Sequence, residues 1–207
     1  MLNRTKYFRK LCLSGSFLVG LISLSSTANA QFIGINADVA IDYSAAPGKV
    51  DGYSVGISHP APFIPNIGYS YVSFIDKESI TKPSDNSSVS LETTTTIKTI
   101  NLFYNVPFPV VTITVGFGYG ADNLYTGVET ITTIDQVESN LETSVSEAFF
   151  HIGLPFWNTI EFHLGYHLMS FESIDITKSV NSQGKNYPTV KKSYSGGMTT
   201  IGVQVAF

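Results

Sequence analysis

Period-two alternation of apolar side chains constrains the fold of this chain more than any other feature. In the stretch 111–120, valine, isoleucine and aromatic residues alternate with threonine and glycine. Side chains along a β-strand point alternately to opposite faces, so such a stretch predicts a strand with one apolar face and one small or polar face. Eight stretches show the pattern, near residues 33–43, 53–58, 67–75, 98–106, 111–120, 148–154, 160–168 and 199–207.

The last stretch runs to the final residue, Phe207, which shares a face with Ile201, Val203 and Val205. Chain ends usually fray unless they are tied down, so this strand is expected to be paired on both sides, as in a closed sheet. Several stretches have about 9–11 residues, the length of a tilted strand that crosses a bilayer. We therefore predict an all-β, eight-stranded antiparallel transmembrane β-barrel with up-and-down meander topology over residues 31–207.

Residues 1–30 have the pattern of a cleaved secretory signal peptide. A basic start is followed by an apolar run from Leu11 to Leu24 and by the small-residue pattern Ala28-Asn29-Ala30, the basic residues being Arg4, Lys6, Arg9 and Lys10. The only cysteine, Cys12, lies in this segment. The exported chain is therefore expected to have no disulfide and no thiol chemistry.

The charge and hydropathy of the remaining chain argue against a nucleic-acid-binding protein and against a helical membrane protein. The full chain has a net charge of −4, and the rest is more acidic still once the basic signal is removed. Nucleic-acid binding depends on Lys and Arg neutralising phosphates, so we expect no nucleic-acid partner. No apolar run after residue 30 approaches the ~18 residues of a membrane-spanning helix.

The connections between the predicted strands alternate between short and long. The short ones each contain a Pro-Phe pair, whereas the longer ones are mostly polar, which is typical of an outer-membrane barrel with its short turns in the periplasm. Proline ends strands because it cannot donate to the sheet, and interfacial aromatic rings form girdles. The predicted periplasmic turns and girdle comprise Pro62, Phe63, Pro107, Phe108, Pro155, Phe156, Trp157 and Phe207.

A second girdle of tyrosines is expected at the opposite rim, formed by Tyr43, Tyr53, Tyr119, Tyr125 and Tyr194. Alternation alone does not distinguish a membrane barrel from a soluble ligand-binding barrel with the two faces inverted. The asymmetric loops, the Pro-Phe turns, the terminal phenylalanine and a second face rich in Gly, Asn, Asp and His favour the membrane barrel.

Two turn motifs carry a resemblance to a known family. The segment SVGISHPAPFIPNIGYSY contains a His-Pro-x-Pro-x-x-Pro-Asn turn, and FFHIGLPFWNTIEFHLGY contains Gly-Leu-Pro-Phe. With the signal peptide and terminal phenylalanine, the chain resembles a family of small bacterial outer-membrane β-barrel proteins of unknown function. The resemblance implies an outer-membrane barrel and no known activity. In architecture the chain is similar to barrels of the OmpX, OmpA and OmpW types, and fold does not give function.

The interior of an eight-stranded barrel is just wide enough to be filled by side chains. Charged groups there must pair, because isolated buried charge is costly. We therefore predict a neutralised polar network that fills the lumen, with no cofactor, built from Asp38, Asp42, Lys98, His151, Glu161, His163 and His167.

A metal site is the alternative use of the inward histidines. If Leu154 paired with Ile160, His151 would lie opposite His163 with Glu161 next to it. Two histidines and a carboxylate are a possible zinc ligand set, although the sequence identifies no fourth ligand.

The predicted function is a non-enzymatic structural or surface-interaction role in the outer membrane. The alternatives are OmpW-like passage of small hydrophobic solutes and, less favoured, a lipid A-modifying enzyme, which needs a Ser and a His together on the lipid face. Expected partners are outer-membrane lipid and lipopolysaccharide, and the barrel assembly machinery through the C-terminal strand. Lysines of the last long loop could contact lipopolysaccharide phosphates, namely Lys178, Lys185, Lys191 and Lys192.

Overall fold

Strands form nearly all of the regular structure. The computed structural model describes residues 33–61, 63–121, 125–157 and 159–207, so the predicted signal peptide lies outside the described residues. The elements are β1 Gly34–Tyr43, β2 Val50–Ser58, β3 Asn66–Thr81, β4 Ser88–Pro107, β5 Thr112–Gly120, β6 Gly127–Ile134, β7 Val137–Thr143, β8 Val145–Trp157, β9 Ile160–Ser170, β10 Ile174–Asp175, the helix α1 Lys178–Ser182, β11 Lys191–Lys192 and β12 Gly196–Ala206.

Eight of these strands close into an antiparallel barrel, as predicted. Around the barrel the order is β1, β2, β3, β4, β5, β8, β9 and β12, and β12 pairs with β1 to complete it. The amide of Phe207 donates to the carbonyl of Ile33 at 2.8 Å, and the amide of Ala206 donates to Thr159 at 2.8 Å. The end of the chain is thus bonded to both neighbouring strands, which confirms the expected closure by the C-terminal strand.

The two faces of the barrel differ sharply in polarity. Along β1, Ile35 and Val39 are exposed on the outside, whereas Asn36 and Asp38 are buried in the lumen. The same orientation holds along β9, where Leu164 points out and His163 points in. The apolar stripes of the sequence therefore form the outer wall of the barrel, and the polar stripes fill it.

Asp42 is not in the lumen, contrary to the prediction. The pairing of β1 with β12 has an irregularity between Ala40 and Asp42, which reverses the alternation for the end of the strand. Asp42 is consequently exposed, and the next residue, Tyr43, turns inward and is buried. The predicted rim position of Tyr43 is wrong for the same reason.

Lys98 is also outside the lumen, which corrects a second prediction. The alternation of β4 is unbroken, with Ile97 and Thr99 buried inside and Lys98 on the outer face. There its ammonium Nζ lies 3.5 Å from Glu129 Oε2 on β6. Threonines occupy both faces of this part of β4, so polarity alone does not reveal which face is which.

Part of the barrel wall extends beyond the other strands. β3 and β4 have 16 and 20 residues, and β4 pairs along its outer half with β6, which pairs in turn with β7. The β6–β7 hairpin occupies a stretch predicted to be a loop, because its threonines and charged residues give no clear apolar alternation. Its turn residues Asp135 and Gln136 both have positive φ, 48° and 62°, as the two-residue hairpin turn that matches strand twist requires.

The segment β10–α1–β11 packs on this extension and forms what we call the loop-end platform. Its side chains meet those of β3, β4 and β6 in one apolar cluster, made of Ile80, Leu91, Ile134, Ile176, Val180 and Tyr187. Asn181 fixes the loop, since its side chain donates to the carbonyl of Tyr187 at 3.0 Å and accepts from the Tyr187 amide at 2.8 Å. Within the described residues, no helix has the length and apolar character needed to cross a membrane.

A second apolar cluster fills the lumen below the platform, and we call it the loop-end plug. It contains Tyr43, Val72, Phe74, Ile97, Val128, Val145, Met169, Phe171, Tyr194 and Met198. Tyr194 therefore lies inside rather than at the rim, and its hydroxyl donates to Asp76 Oδ2 at 3.0 Å. Tyr53, Tyr119 and Tyr125 are exposed.

The opposite end of the barrel, which we call the turn end, carries short connections and exposed aromatic rings. The exposed rings are those of Phe63, Phe108, Phe156, Trp157 and Phe207. Pro107 is the last residue of β4, and the pairing of β8 with β9 is irregular between Pro155 and Trp157. Pro62 lies outside the described residues.

Candidate functional site in the barrel lumen

Between the loop-end plug and the turn end, the lumen is filled by buried ionisable side chains. Three carboxylates and three imidazoles lie there, from Asp38 on β1, Glu147 and His151 on β8, and Glu161, His163 and His167 on β9. Inward-facing positions of adjacent strands bring these residues together, because every second residue of each strand points into the same narrow space.

One hydrogen-bonded chain begins at Glu147. Its Oε1 lies 2.5 Å from His167 Nδ1, and its Oε2 accepts from the hydroxyl of Thr99. His167 Nε2 is in turn 3.0 Å from Nε2 of His151. The ring of Phe149 stacks on that of His167, with centroids 4.9 Å apart. His167 is thus held in position from both ends and from one face.

A second chain begins at Glu161, nearer the turn end. Its Oε1 lies 2.7 Å from His163 Nε2, and its Oε2 accepts from the Thr112 hydroxyl at 2.5 Å. The other nitrogen of this histidine, Nδ1, lies 3.7 Å from Asp38 Oδ1. Ser54 donates to the remaining oxygen of Asp38, Oδ2, at 3.3 Å.

The two chains meet at Asp38, His151 and His163. One possible ligand atom from each residue lies within 4.8 Å of the others. The expected pairing of His151 with His163 is wrong, because the irregularity near Trp157 sets His151 opposite Gly165 and His163 opposite Gly153. The side chains nevertheless converge across these glycines. Glu161, the carboxylate suggested from the sequence, is outside this group, and Asp38 takes its place.

Gly202 lets Asp38 and His163 approach each other. It is the β12 residue paired with Asp38 on one side and with His163 on the other. A Cβ atom at this position would lie 2.2 Å from Asp38 Oδ1. The absence of a side chain here opens the space in which the carboxylate and the imidazole face each other.

Three atoms at this meeting point have no hydrogen-bond partner. Asp38 Oδ1, His151 Nδ1 and His163 Nδ1 are all buried and unpaired among the described residues. No lysine or arginine is among the buried polar residues of the described chain. The charge of the three lumen carboxylates must therefore be balanced by protons on the histidines or by a bound cation.

Two features of the site were not predicted from the sequence: the inward position of Glu147 and the contact between Asp38 and His163. Glu147 shares the inward parity of Phe149, His151 and Gly153, so extending the strand one step toward its start would have found it. The contact of Asp38 with His163 depends on the closure of β12 between β1 and β9. Local sequence contains no signal for that pairing.

Gly165 provides the most direct test of the packing in this site. A Cβ atom there would lie 2.3 Å from Thr200 Oγ1 and 2.6 Å from His151 Cδ2. We expect Gly165→Ala to lower the free energy of unfolding by about 1–3 kcal/mol, as overpacking does. The matched control is Gly48→Ala, because a Cβ atom at Gly48 meets nothing within 4 Å. Urea unfolding of the purified barrel, followed by fluorescence of the single tryptophan, measures both variants. Equal stability of the two variants would contradict the packing.

The site is closed toward the loop end and less so toward the turn end. The loop-end plug covers it on one side. On the other, the Glu161 side chain is 11% exposed, and Asn105 and Thr112 are only half-buried. A small solute that reaches the site therefore has its shortest route through the turn end.

The fold and its surface define the class of protein as a closed eight-stranded antiparallel β-barrel with an apolar outer wall. The sequence matches no protein-family model and no curated protein. Among solved structures, it is similar to Neisserial surface protein A, with a TM-score of 0.47 and 14% identity over 84% of this chain and 97% of that one.

Two other solved barrels show similar levels of likeness. The N-terminal β-barrel domain of Pseudomonas aeruginosa OprF has a TM-score of 0.42 and 11% identity, covering 84% of this chain and 96% of that one. Ail, the attachment invasion locus protein of Yersinia pestis, has a TM-score of 0.44 and 8% identity with the same coverage, 84% and 96%. Likenesses of this degree carry no argument about function, and the architecture rests on the strand pairing described above.

Proposed function

We propose that this protein is an integral outer-membrane barrel with a structural or surface-contact role. One observation carries the proposal: a continuous belt of exposed apolar side chains surrounds the eight barrel strands. It includes Ile35, Val39, Val55, Ile57, Leu102, Val115, Phe117, Ile152, Leu154, Phe162, Leu164 and Ile201. Water-soluble monomers rarely expose contiguous apolar patches of more than a few hundred Å², so this belt fits a lipid surface.

The dimensions of the belt support a membrane location. β1, β2, β5, β9 and β12 have 9 to 11 residues, the usual length of tilted membrane-crossing strands. Exposed aromatic rings at the turn end and exposed tyrosines toward the loop end occupy the places of the two interfacial girdles. In this proposal, residues 1–30 are the export signal, and the two turn motifs support membership of the family of small outer-membrane barrels of unknown function.

The interior supports a closed barrel rather than a pore. The loop-end plug and the polar network together occupy the lumen, so passage of solutes along the barrel axis is disfavoured. The distribution of histidines supports a non-enzymatic role. Three of the four lie in the lumen, and the fourth, His59, is held in a turn by Ala61 and Pro65. A lipid A-modifying site would instead need such a residue on the belt.

The loop-end platform is the surface that we propose for contact with partners. It is anchored on the barrel extension by the apolar cluster that it shares with β3, β4 and β6, and by Lys192, which lies 3.1 Å from Asp76 and 2.9 Å from Glu78 on β3. Lys192 is therefore engaged in holding the platform on β3. The lysines that we propose to contact lipopolysaccharide phosphates are therefore Lys178, Lys185 and Lys191. The proposed assembly partner is the barrel assembly machinery, acting on β12.

Cysteine labelling in cells tests the proposed orientation, because the exported chain would have no cysteine of its own. Lys185→Cys is placed in the exposed last loop and Ile64→Cys in an exposed turn at the other end. A membrane-impermeant maleimide is expected to label Lys185→Cys in intact cells and Ile64→Cys only after the outer membrane is permeabilised. Labelling of both variants in intact cells, or of neither, would refute the proposed orientation.

The docking of the platform through Tyr187 gives a pH-dependent prediction. The Tyr187 hydroxyl donates to Asp135 in the β6–β7 turn, and this hydrogen bond, with desolvation and the carboxylate charge, raises the pKa of Tyr187 to about 12. A raised folded-state pKa stabilises the fold below the ordinary value of 10.0, and the contribution is lost as pH rises through 12.

We therefore expect wild type to be more stable than Tyr187→Phe at neutral pH and the difference to vanish between pH 10 and 12. Unfolding titrations at several pH values measure the stability difference, and the difference in phenolate absorbance between wild type and Tyr187→Phe isolates the titration of Tyr187. A stability difference that stays constant across that pH range would contradict the Tyr187–Asp135 bond.

A further inference from the structure

We propose that the lumen binds one divalent transition-metal ion between Asp38, His151 and His163, with Zn²⁺ as the best-fitting ion. The three residues are 1%, 2% and 5% exposed, each has a buried atom without a hydrogen-bond partner, and possible ligand atoms of all three lie close together. Buried polar atoms are nearly always hydrogen-bonded, so three unpaired ones in one cluster call for an explanation. A cation between them satisfies all three at once.

The hydrogen bonds of His163 determine which of its nitrogens is available. Its Nε2 lies 2.7 Å from the Glu161 carboxylate, so in the neutral ring Nε2 carries the hydrogen and donates it. Nδ1 then has a free lone pair, and this lone pair faces Asp38 Oδ1 at 3.7 Å. Two acceptors facing each other in a buried site repel unless a cation, or a second proton on the ring, lies between them.

The same reasoning applies to His151. The Glu147 carboxylate accepts a hydrogen from His167 Nδ1, which leaves Nε2 of a neutral His167 as an acceptor. His151 Nε2, 3.0 Å away, therefore donates, and its own Nδ1 has the free lone pair. With neutral rings, the two hydrogen-bonded chains thus leave His151 Nδ1 and His163 Nδ1 both unprotonated and next to the Asp38 carboxylate.

The groups that hydrogen-bond to the second ring nitrogens of His151 and His163 are of the kind found in protein metal sites. A ligating histidine commonly donates its other ring nitrogen to a carboxylate or another acceptor, which fixes the tautomer and the ring orientation. Glu161 does this for His163 directly, and Glu147 does it for His151 through His167. Glu161 and Glu147 are therefore positioning residues rather than ligands.

The spacing and donor set favour zinc. Bond lengths of ~2.0–2.1 Å place the ligand atoms of a tetrahedral site about 3.3 Å apart. Asp38 Oδ1 and His163 Nδ1 are already 3.7 Å apart, and one possible ligand atom from each of the three residues lies within 4.8 Å of the others. Imidazole nitrogens suit zinc and its neighbours, whereas Ca²⁺ and Mg²⁺ require mostly oxygen ligands. With three protein ligands, the fourth position is left for water.

The ion would also balance the charge of the lumen and join three strands. Asp38 lies on β1, His151 on β8 and His163 on β9, so one ion would hold separate parts of the barrel wall together. Two positive charges offset most of the charge of Asp38, Glu147 and Glu161, the three carboxylates of the site. The competing arrangement, in which protonated histidines balance the carboxylates and no metal binds, is an outcome of the experiment below.

The experiment uses the full barrel, folded in detergent micelles in the presence of a chelator and then dialysed against Zn²⁺ or Co²⁺. We expect one metal ion per chain, an intense visible absorption from tetrahedral Co²⁺, and displacement of Co²⁺ by Zn²⁺. Asp38→Asn and His163→Gln should weaken binding by more than about 100-fold, since even residues behind the ligands typically account for about 10–100-fold. The matched control is His59→Gln, which removes a histidine outside the lumen and should leave affinity unchanged.

Two results would overturn the proposal: no saturable binding by the wild-type barrel, or equal affinities for wild type, Asp38→Asn and His163→Gln. X-ray absorption of the Zn²⁺-loaded wild type keeps the test independent of whether the variants fold, since it must show two imidazole ligands and one carboxylate. The measurement in micelles does not depend on localisation in the cell. It therefore fails or succeeds separately from the proposed outer-membrane role.

Discussion

Replacing Leu164 by arginine is expected to lower the free energy of unfolding of the bilayer-embedded barrel by about 2–4 kcal/mol. Leu164 is in the middle of β9, is 56% exposed, and is paired with Ile152 and Ile201 on the neighbouring strands. If the belt faces lipid, a charged side chain there enters hydrocarbon. Were the belt in water, substitution of an exposed leucine would change stability by only about 0.5 kcal/mol. Equilibrium unfolding in liposomes measures the change.

Ile131→Arg is the matched control for this prediction. Ile131 is also exposed, but it lies on β6 in the extension, where its paired neighbours are the polar residues Thr94 and Asn140. Arginine should be tolerated there with little loss of stability. Equal effects of the two substitutions would contradict the division of the outer wall into a lipid-facing belt and a water-facing extension.

Phe74→Ala is expected to cost about 3–5 kcal/mol, the usual loss for truncating a buried phenylalanine. Phe74 is 3% exposed at the centre of the loop-end plug, with its ring centroid 5.5 Å from that of Tyr43 and 5.2 Å from that of Tyr194. The truncation leaves a cavity between two tyrosine rings that are held by hydrogen bonds, from the Tyr43 hydroxyl to the Tyr194 carbonyl and from the Tyr194 hydroxyl to Asp76. Unfolding by guanidinium in micelles, with the m-value compared with wild type, measures the loss.

Phe74→Leu serves as the control because it keeps most of the buried apolar volume, and it should cost less than about 1.5 kcal/mol. The ratio between the two losses is the informative quantity. A loss below about 1 kcal/mol for Phe74→Ala would mean that the loop end of the lumen is loosely filled or wet, and the inference that the lumen is blocked would fail with it.

The barrel was predictable from the sequence because its strands have an apolar outer face and a small or polar inner face. Runs such as Val111 to Tyr119 therefore alternate with little ambiguity, and the strands lie where that alternation places them. The β6–β7 hairpin was not predictable in this way. In β6, Thr130 and Thr132 are on the buried face and Thr133 is on the outer face with Ile131, so threonine occurs on both faces and the period-two signal disappears.

The wrong predictions about which residues face the lumen have similarly local causes. Asp42 follows an irregularity in β1, and a shift of one residue moves a side chain to the other face. Lys98 lies among threonines, where polarity does not distinguish the faces. The inward histidines could be placed by parity alone, but their partners depend on register, and the register of β8 with β9 is set by an irregular turn.

The most direct test of the account is the behaviour of the native protein in cell fractions and on gels. Closed membrane barrels keep their strand pairing in detergent, because every backbone group is bonded within the closed sheet. We predict that the protein is recovered in the outer-membrane fraction and that its mobility in SDS gels changes on boiling. Recovery in the soluble periplasmic fraction, with the same mobility before and after boiling, would contradict the assignment of the apolar belt to lipid.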